Sequence, residues 1–101
     1  MPIYIMLAKF TNDGRKSIVN NPGKIMEINQ ELDDVGAKII TQYALLGNYD
    51  LVNIFEAHSN EVIARVSAKF GSLGIVEPTT MVAISMHDYV RELGVAKIIT
   101  E

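Results

Sequence analysis

The residues best suited to chemistry in this chain gather at one turn. Gly47-Asn48-Tyr49-Asp50 separates two apolar segments. A glycine there can take a positive φ, an aspartate can accept hydrogen bonds from backbone amides, and a tyrosine can roof the end of a hairpin. The same groups could equally form the rim of a polar ligand site, with free amides and the Asp50 carboxylate facing the ligand. Gln42, Tyr43, Asn53 and Glu56 interrupt the flanking apolar runs. With residues 47–50 as the loop, Leu46 faces Leu51, and Gln42 lies diagonally from Asn53 on one face, with Tyr43 and Glu56 on the other. Buried amides need partners, which a structural network at a subunit interface or a ligand in a pocket could each supply.

Other chemistries find less to work with. His58 and His87 have no helical i,i+3 or i,i+4 ligand partner and read as solvated side chains. The chain has no cysteine, so disulfides, thiolate catalysis and cysteine-based metal sites are excluded. Signature residues of phosphate loops, zinc proteases, dinucleotide folds and nucleophile elbows are absent. No metal and no cofactor is implied. Nine Lys+Arg against twelve Asp+Glu give a net charge of -3. The local positive charge of Lys9, Arg15, Lys16 and Lys24 is too small to mark a nucleic-acid face. The apolar run Pro2–Ala8 is far short of the roughly 20 residues of a spanning helix and lacks the flanks of a signal peptide. A cytoplasmic protein with no membrane partner is the expectation.

Positioning these residues requires elements, and the 101 residues suffice for one domain. Residues 2–10 read as a first strand, with Thr11 as cap of a helix that is interrupted at Asn20-Asn21-Pro22-Gly23. Asn21 is expected to cap the restart and Pro22 to occupy its first position. Ile25, Ile28, Leu32 and Val35 then form one apolar stripe, ended by Gly36. Residues 37–46 and 51–57 read as a hairpin. Ser59 or Asn60 caps a helix with the stripe Val62, Ile63, Val66, Phe70 and Leu73, which Gly74 stops. A fourth strand covers about 75–86, with Pro78 placing it at an edge or bulge. A short helical turn, His87–Leu93, and an extended tail from Gly94 complete the chain. The order βαββαβ predicts a ferredoxin-like α+β sandwich with both helices on one sheet face.

That arrangement leaves one sheet face bare. A strand with a wet face should alternate apolar and polar residues. Instead Ile3, Ile5 and Leu7 point one way and Tyr4, Met6, Ala8 and Phe10 the other. A second copy of the chain is the simplest cover.

The stretch Gln42–Ile54 centred on Gly47-Asn48-Tyr49-Asp50, the opening Pro2–Leu7, the Thr11-x-x-Gly14-Arg15-Lys16 turn and Thr79-Thr80 resemble the GYD domain family. The resemblance implies a dimeric α/β-barrel of the ferredoxin-like type, without an assigned activity. Gly74-Ile75-Val76 followed by Thr79-Thr80 is also similar to the effector-binding domain of the leucine-responsive and asparagine-responsive regulators, which implies a small-molecule ligand near a subunit interface. Gly47, Tyr49, Asp50, Gln42, Asn53, Thr79 and Thr80 are then the candidate ligand-binding residues. The functional expectation is an oligomeric small-molecule-binding or regulatory module. A small cofactor-independent enzyme of monooxygenase or isomerase type, by analogy with the barrel, and a purely structural assembly protein are the alternatives. Residues 1–93 are expected to form the domain and residues 94–101 a tail packing on a neighbouring subunit.

Overall fold

A computed structural model describes residues 2–100, with side chains through Val95. Its elements are β1 (Ile3–Phe10), α1 (Asn12–Asn20), α2 (Lys24–Asp34), β2 (Lys38–Ala44), β3 (Leu51–Glu56), α3 (Asn60–Ser72), β4 (Val76–Ala83) and α4 (Met86–Thr100). The four strands form an antiparallel sheet in the order β2-β3-β1-β4. This is the ferredoxin-like sandwich expected from the element order.

One part of the expected fold is overturned. The sheet is open: β2 and β4 are its two edges and do not pair with each other, so it does not close into a barrel. Closure requires every strand to have two hydrogen-bonded neighbours. Here the β1–β3 and β1–β4 ladders use up the central strands and leave the outer two unpaired on one side.

The sandwich core follows from strand parity. Tyr4, Met6 and Ala8 of β1 and Leu51, Asn53 and Phe55 of β3 are buried beneath the helices. Ile28 and Leu32 of α2 and Ile63, Val66 and Phe70 of α3 press down on them, as their helical spacing requires. Each fully buried side chain of this size contributes about 1.5–3 kcal/mol relative to its exposed state. On the opposite face, Ile5 stands between Ile54 and Met81, and Leu7 between Val52 and Thr79. Among the described residues no helix covers that side's central residues, which are only partly buried.

The helix starts bear out two of the expected caps: Thr11 accepts from the Gly14 amide at 2.9 Å, and Ser59 accepts from the Val62 amide at 3.3 Å. Asn21 is not a cap. The cap of α2 is Gly23, with no side-chain hydrogen bond, because residues 21–23 form a turn in which the Lys24 amide donates to the Asn21 carbonyl.

The chain end also differs from expectation. Residues 94–100 are helical, and α4 runs through Gly94 without a break. Gly94 keeps a negative φ and therefore cannot act as the left-handed stop that Gly36 and Gly74 provide. Its cost of about 1 kcal/mol in a helix is offset by good helix formers beside it, Arg91, Glu92 and Leu93. Glu101 of the expected tail lies outside the described residues.

The tightest point of the sandwich is Gly14. A Cβ at this position would stand 1.9 Å from the Ile75 carbonyl oxygen, which also accepts from the Thr11 amide at 2.9 Å. Helix propensity favours Gly14→Ala by about 1 kcal/mol, but the clash is with backbone that the Thr11 bond holds in place. The clash wins. Gly14→Ala is expected to destabilise the fold by about 1–3 kcal/mol in urea titration; unchanged or raised stability would contradict the close packing of α1 on Ile75.

Candidate functional site

Two polar constellations emerge on the helix side and at one end of the sheet. The first is built around Asp50. The Leu45 amide donates to the Asp50 carbonyl at 2.8 Å, so the turn spans Leu45–Asp50 and is longer than the four residues 47–50. Gly47 sits there at φ +133°, a conformation that disfavours any side chain. The Asp50 amide donates to the Ala8 carbonyl at 2.9 Å, and Asp50 Oδ2 accepts from the Phe10 amide at 2.8 Å. Arg15 Nη2 lies 3.5 Å from the same oxygen. Thr11 Oγ1 donates to the Gly74 carbonyl at 2.6 Å. Asp50 therefore clasps the end of β1, beside the Thr11–Gly14 cap that ties α1 to the start of β4. Tyr49 is engaged as well, with the Lys9 ammonium 5.6 Å from its ring centroid.

The second constellation is a chain of amides under α2. Gln42 and Asn53 pair directly across β2 and β3. The expected diagonal placement was two residues out of register, a slip that preserves the face. The longer Leu45–Asp50 turn accounts for that slip, and a β-bulge between Ile39 and Thr41 shifts the register by one further residue beyond the pair. Gln42 Nε2 donates to Asn53 Oδ1, and Asn53 Nδ2 donates to the Met6 carbonyl at 3.2 Å. Asn29 of α2 closes the set: its Nδ2 donates to Gln42 Oε1 at 2.9 Å, and its Oδ1 accepts from Gln42 Nε2 at 3.2 Å. Asn53 is fully buried, and no described buried side-chain polar atom is left without a partner. The network lies between sheet and helix, away from the open face. The adjoining cleft, walled by Ile18, Ile25, Phe70 and Ile75, has room for about one water.

Asn29 is the member that sequence reasoning missed. Its signal was present: it lies four residues after Ile25 and three before Leu32, inside the apolar stripe of α2. Thr79 and Thr80 part company, as neighbours in a strand must. Thr79 faces the open side opposite Leu7, while Thr80 lies on the helix side and shares a 2.8 Å hydrogen bond with Ser67 of α3. The seven candidate residues thus occupy separate positions: Gly47, Tyr49 and Asp50 at the sheet end, Gln42 and Asn53 under α2, Thr79 on the open face and Thr80 under α3. Tyr43 and Glu56 lie on the face opposite Gln42 and Asn53, as expected, and that face is the open one, so the amide network is not at a sheet-to-sheet subunit interface. His58 and His87 are exposed.

The comparisons agree with this architecture. The model of the GYD domain family matches residues 4–92, and the chain belongs to that family. A Thermus thermophilus protein named glutamine synthetase and cystathionine beta-lyase binding protein is 42% identical over 94 residues, covering 92% of this chain and 99% of that protein. Two crystal structures share the fold: FFRP-DM1, at 20% identity and a TM-score of 0.56 over 83% of this chain and 100% of that one, and TTHA0845 of Thermus thermophilus, at 18% identity and a TM-score of 0.57 over 84% and 95%. No helix among the described residues is long and apolar enough to cross a membrane.

The two constellations make separable predictions. Asp50→Ala removes a charge-assisted hydrogen bond and is expected to cost on the order of 1–2 kcal/mol, whereas Arg15→Ala breaks a half-exposed ion pair and should cost less than about 0.5 kcal/mol. Equal losses in urea titration would show that the ion pair, and not the Phe10 amide, is the main partner of Asp50. Asn53→Ala leaves an amide hydrogen of Gln42 without its acceptor and removes a buried tie to the Met6 carbonyl, and should cost about 1–3 kcal/mol. A loss below about 0.5 kcal/mol would contradict the buried network.

Proposed function

We propose that the protein is a self-associating regulatory module that covers its open sheet face with a second copy of itself and binds a metabolic enzyme as its client. The open face carries the first half of this reading. Ile3, Ile5 and Leu7 of β1, Val52 and Ile54 of β3 and Met81 and Ala83 of β4 form one apolar surface across three adjacent strands. A soluble monomer rarely leaves a contiguous apolar patch beyond a few hundred Å2 in water. The isologous dimer is the simplest cover, because the same patch then serves both partners.

The client half is supported by the name of the Thermus thermophilus relative, which says that it binds two enzymes, glutamine synthetase and cystathionine beta-lyase. A binding role also accords with how the candidate polar residues are used. Asp50 is committed to the Phe10 amide and Arg15, and Gln42 and Asn53 are committed to each other, to Asn29 and to Met6. The open sheet leaves the enzyme alternative without the barrel analogy from which it was drawn. A small effector, suggested by the likeness to amino-acid-responsive regulators, would act on this module by changing its association or its hold on the client.

Substitutions on the two sides of β1 separate the roles of its faces. Ile5→Asp and Ala83→Asp place a carboxylate on the open face and should shift the protein to monomer in sedimentation velocity while leaving its helical circular dichroism intact. Met6→Asp places one in the core and should unfold the chain, because an unpaired buried charge costs several kcal/mol. Monodisperse monomer for the unsubstituted protein at micromolar concentration would overturn the self-association. Biolayer interferometry against purified glutamine synthetase and cystathionine beta-lyase from the same organism tests the client. Binding to either at micromolar affinity or better is expected, and a dimer that binds neither would overturn the client reading alone.

A further inference from the structure

The helix α4 leaves the body of the protein. The chain extends 59 Å along its longest axis and 30 and 19 Å along the others, with a radius of gyration of 16.2 Å. A compact chain of this length has a radius of gyration of about 13 Å. The 15 residues of α4 span roughly 22 Å, and among the described residues the helix makes no substantial contact with any other element. Its Met86, Tyr89, Val90 and Leu93 follow the i, i+3, i+4, i+7 spacing of a helix face built to be buried. They are 69%, 48%, 59% and 52% exposed. A helix of this kind is marginal in water unless that face is packed.

A second unpartnered surface lies on the body. Between α3 and the edge strand β4 runs an open groove of about 490 Å3. Ile63, Ala64 and Ala68 form one wall, and Val82, which is 61% exposed, forms the other. The polar groups in its floor are already paired: Tyr4 Oη donates to Asn60 Oδ1 at 2.7 Å, and Ser67 shares its hydrogen bond with Thr80. The floor therefore asks for no polar partner, and the small Ala64 and Ala68, one helical turn apart, let another helix approach closely.

We infer that α4 is an exchanged arm, seated in the α3/β4 groove of a second copy of the chain. The area supports this occupant. At the observed exposures the four side chains of one arm present on the order of 400 Å2 of apolar surface. A reciprocal exchange fills two grooves with two arms and removes up to about 800 Å2 of arm surface from water, to which the smaller groove walls and the open sheet faces of the dimer add. Exchange of identical elements also closes the assembly with two-fold symmetry and leaves no arm free to recruit further copies. The inference rests on the self-association proposed above and names the element that the partner contributes.

Isotope-filtered nuclear Overhauser spectroscopy on a dimer mixed from methyl-labelled and unlabelled chains tests it, with sedimentation velocity on the same sample. The expected result is a dimer with intermolecular contacts from the methyl groups of Met86, Val90 and Leu93 to those of Ile63, Ala64, Ala68 and Val82. Leu93→Asp should raise the dimer dissociation constant at least about tenfold. The same contacts seen only within one chain would show that α4 folds over its own groove and would overturn the exchange. A dimer without α3–α4 contacts, or with an unchanged dissociation constant in Leu93→Asp, would overturn the exchange and leave the self-association standing. A monomer would overturn both.

Discussion

The inward placement of Asn53 sets which side of the sheet meets the helices and which does not. Its amide joins β3 to the Met6 carbonyl of β1 and, through Gln42, to β2 and α2. Moving any of these strands by one residue would send a buried amide to the open face and strand its partners in the interior, at about 1–3 kcal/mol for each group left unpaired. Because Asn53 points inward, Val52 and Ile54 must point outward. Because Met6 faces the helices, Ile5 and Leu7 must face away from them. The polar network on one side thereby creates the apolar surface on the other.

That surface places the open question of the fold outside the single chain. The helices α1, α2 and α3 cover one face of the sheet, and α4, the one remaining helix among the described residues, projects away from it instead of covering the second face. The GYD signature has its place at the sheet end, where Asp50 bonds the Phe10 amide and Gly14 packs on Ile75. These contacts keep β1 in position between β3 and β4. The family's most recognisable residues thus act on the geometry of the central strand.

Much of this could be read from residue types. The two-sided apolar character of β1 was visible in Ile3–Ala8, and the caps Thr11 and Ser59 were visible because a hydroxyl before a helical pattern has a single efficient use. The face of Gln42 and Asn53 survived a register error of two residues, since strand parity repeats with that period. Their partner Asn29 was hidden because it comes from another element, and a stripe of aliphatic residues draws attention away from one amide within it. The bulge at Ile40 has no local signature; the six-residue turn and the Gln42–Asn53 pair share one register, and the bulge shifts only Ile39 and Lys38, beyond them, by one residue. The barrel expectation came from the resemblance and not from the strand pattern, which nowhere required β2 and β4 to meet. The course of α4 was misread because Val95, Ile98 and Ile99 suggest a strand, while β-branching lowers helix propensity by only a few tenths of a kcal/mol.

The central claim is that the outward side of β1 is covered by a second copy of the chain. Native mass spectrometry of the freshly purified protein tests it most directly, because the mass reports stoichiometry without any substitution. Even multiples of the 11.2 kDa chain are the predicted result. A spectrum holding a single chain mass at micromolar concentration, with Ile5 and Leu7 left in water, would contradict it.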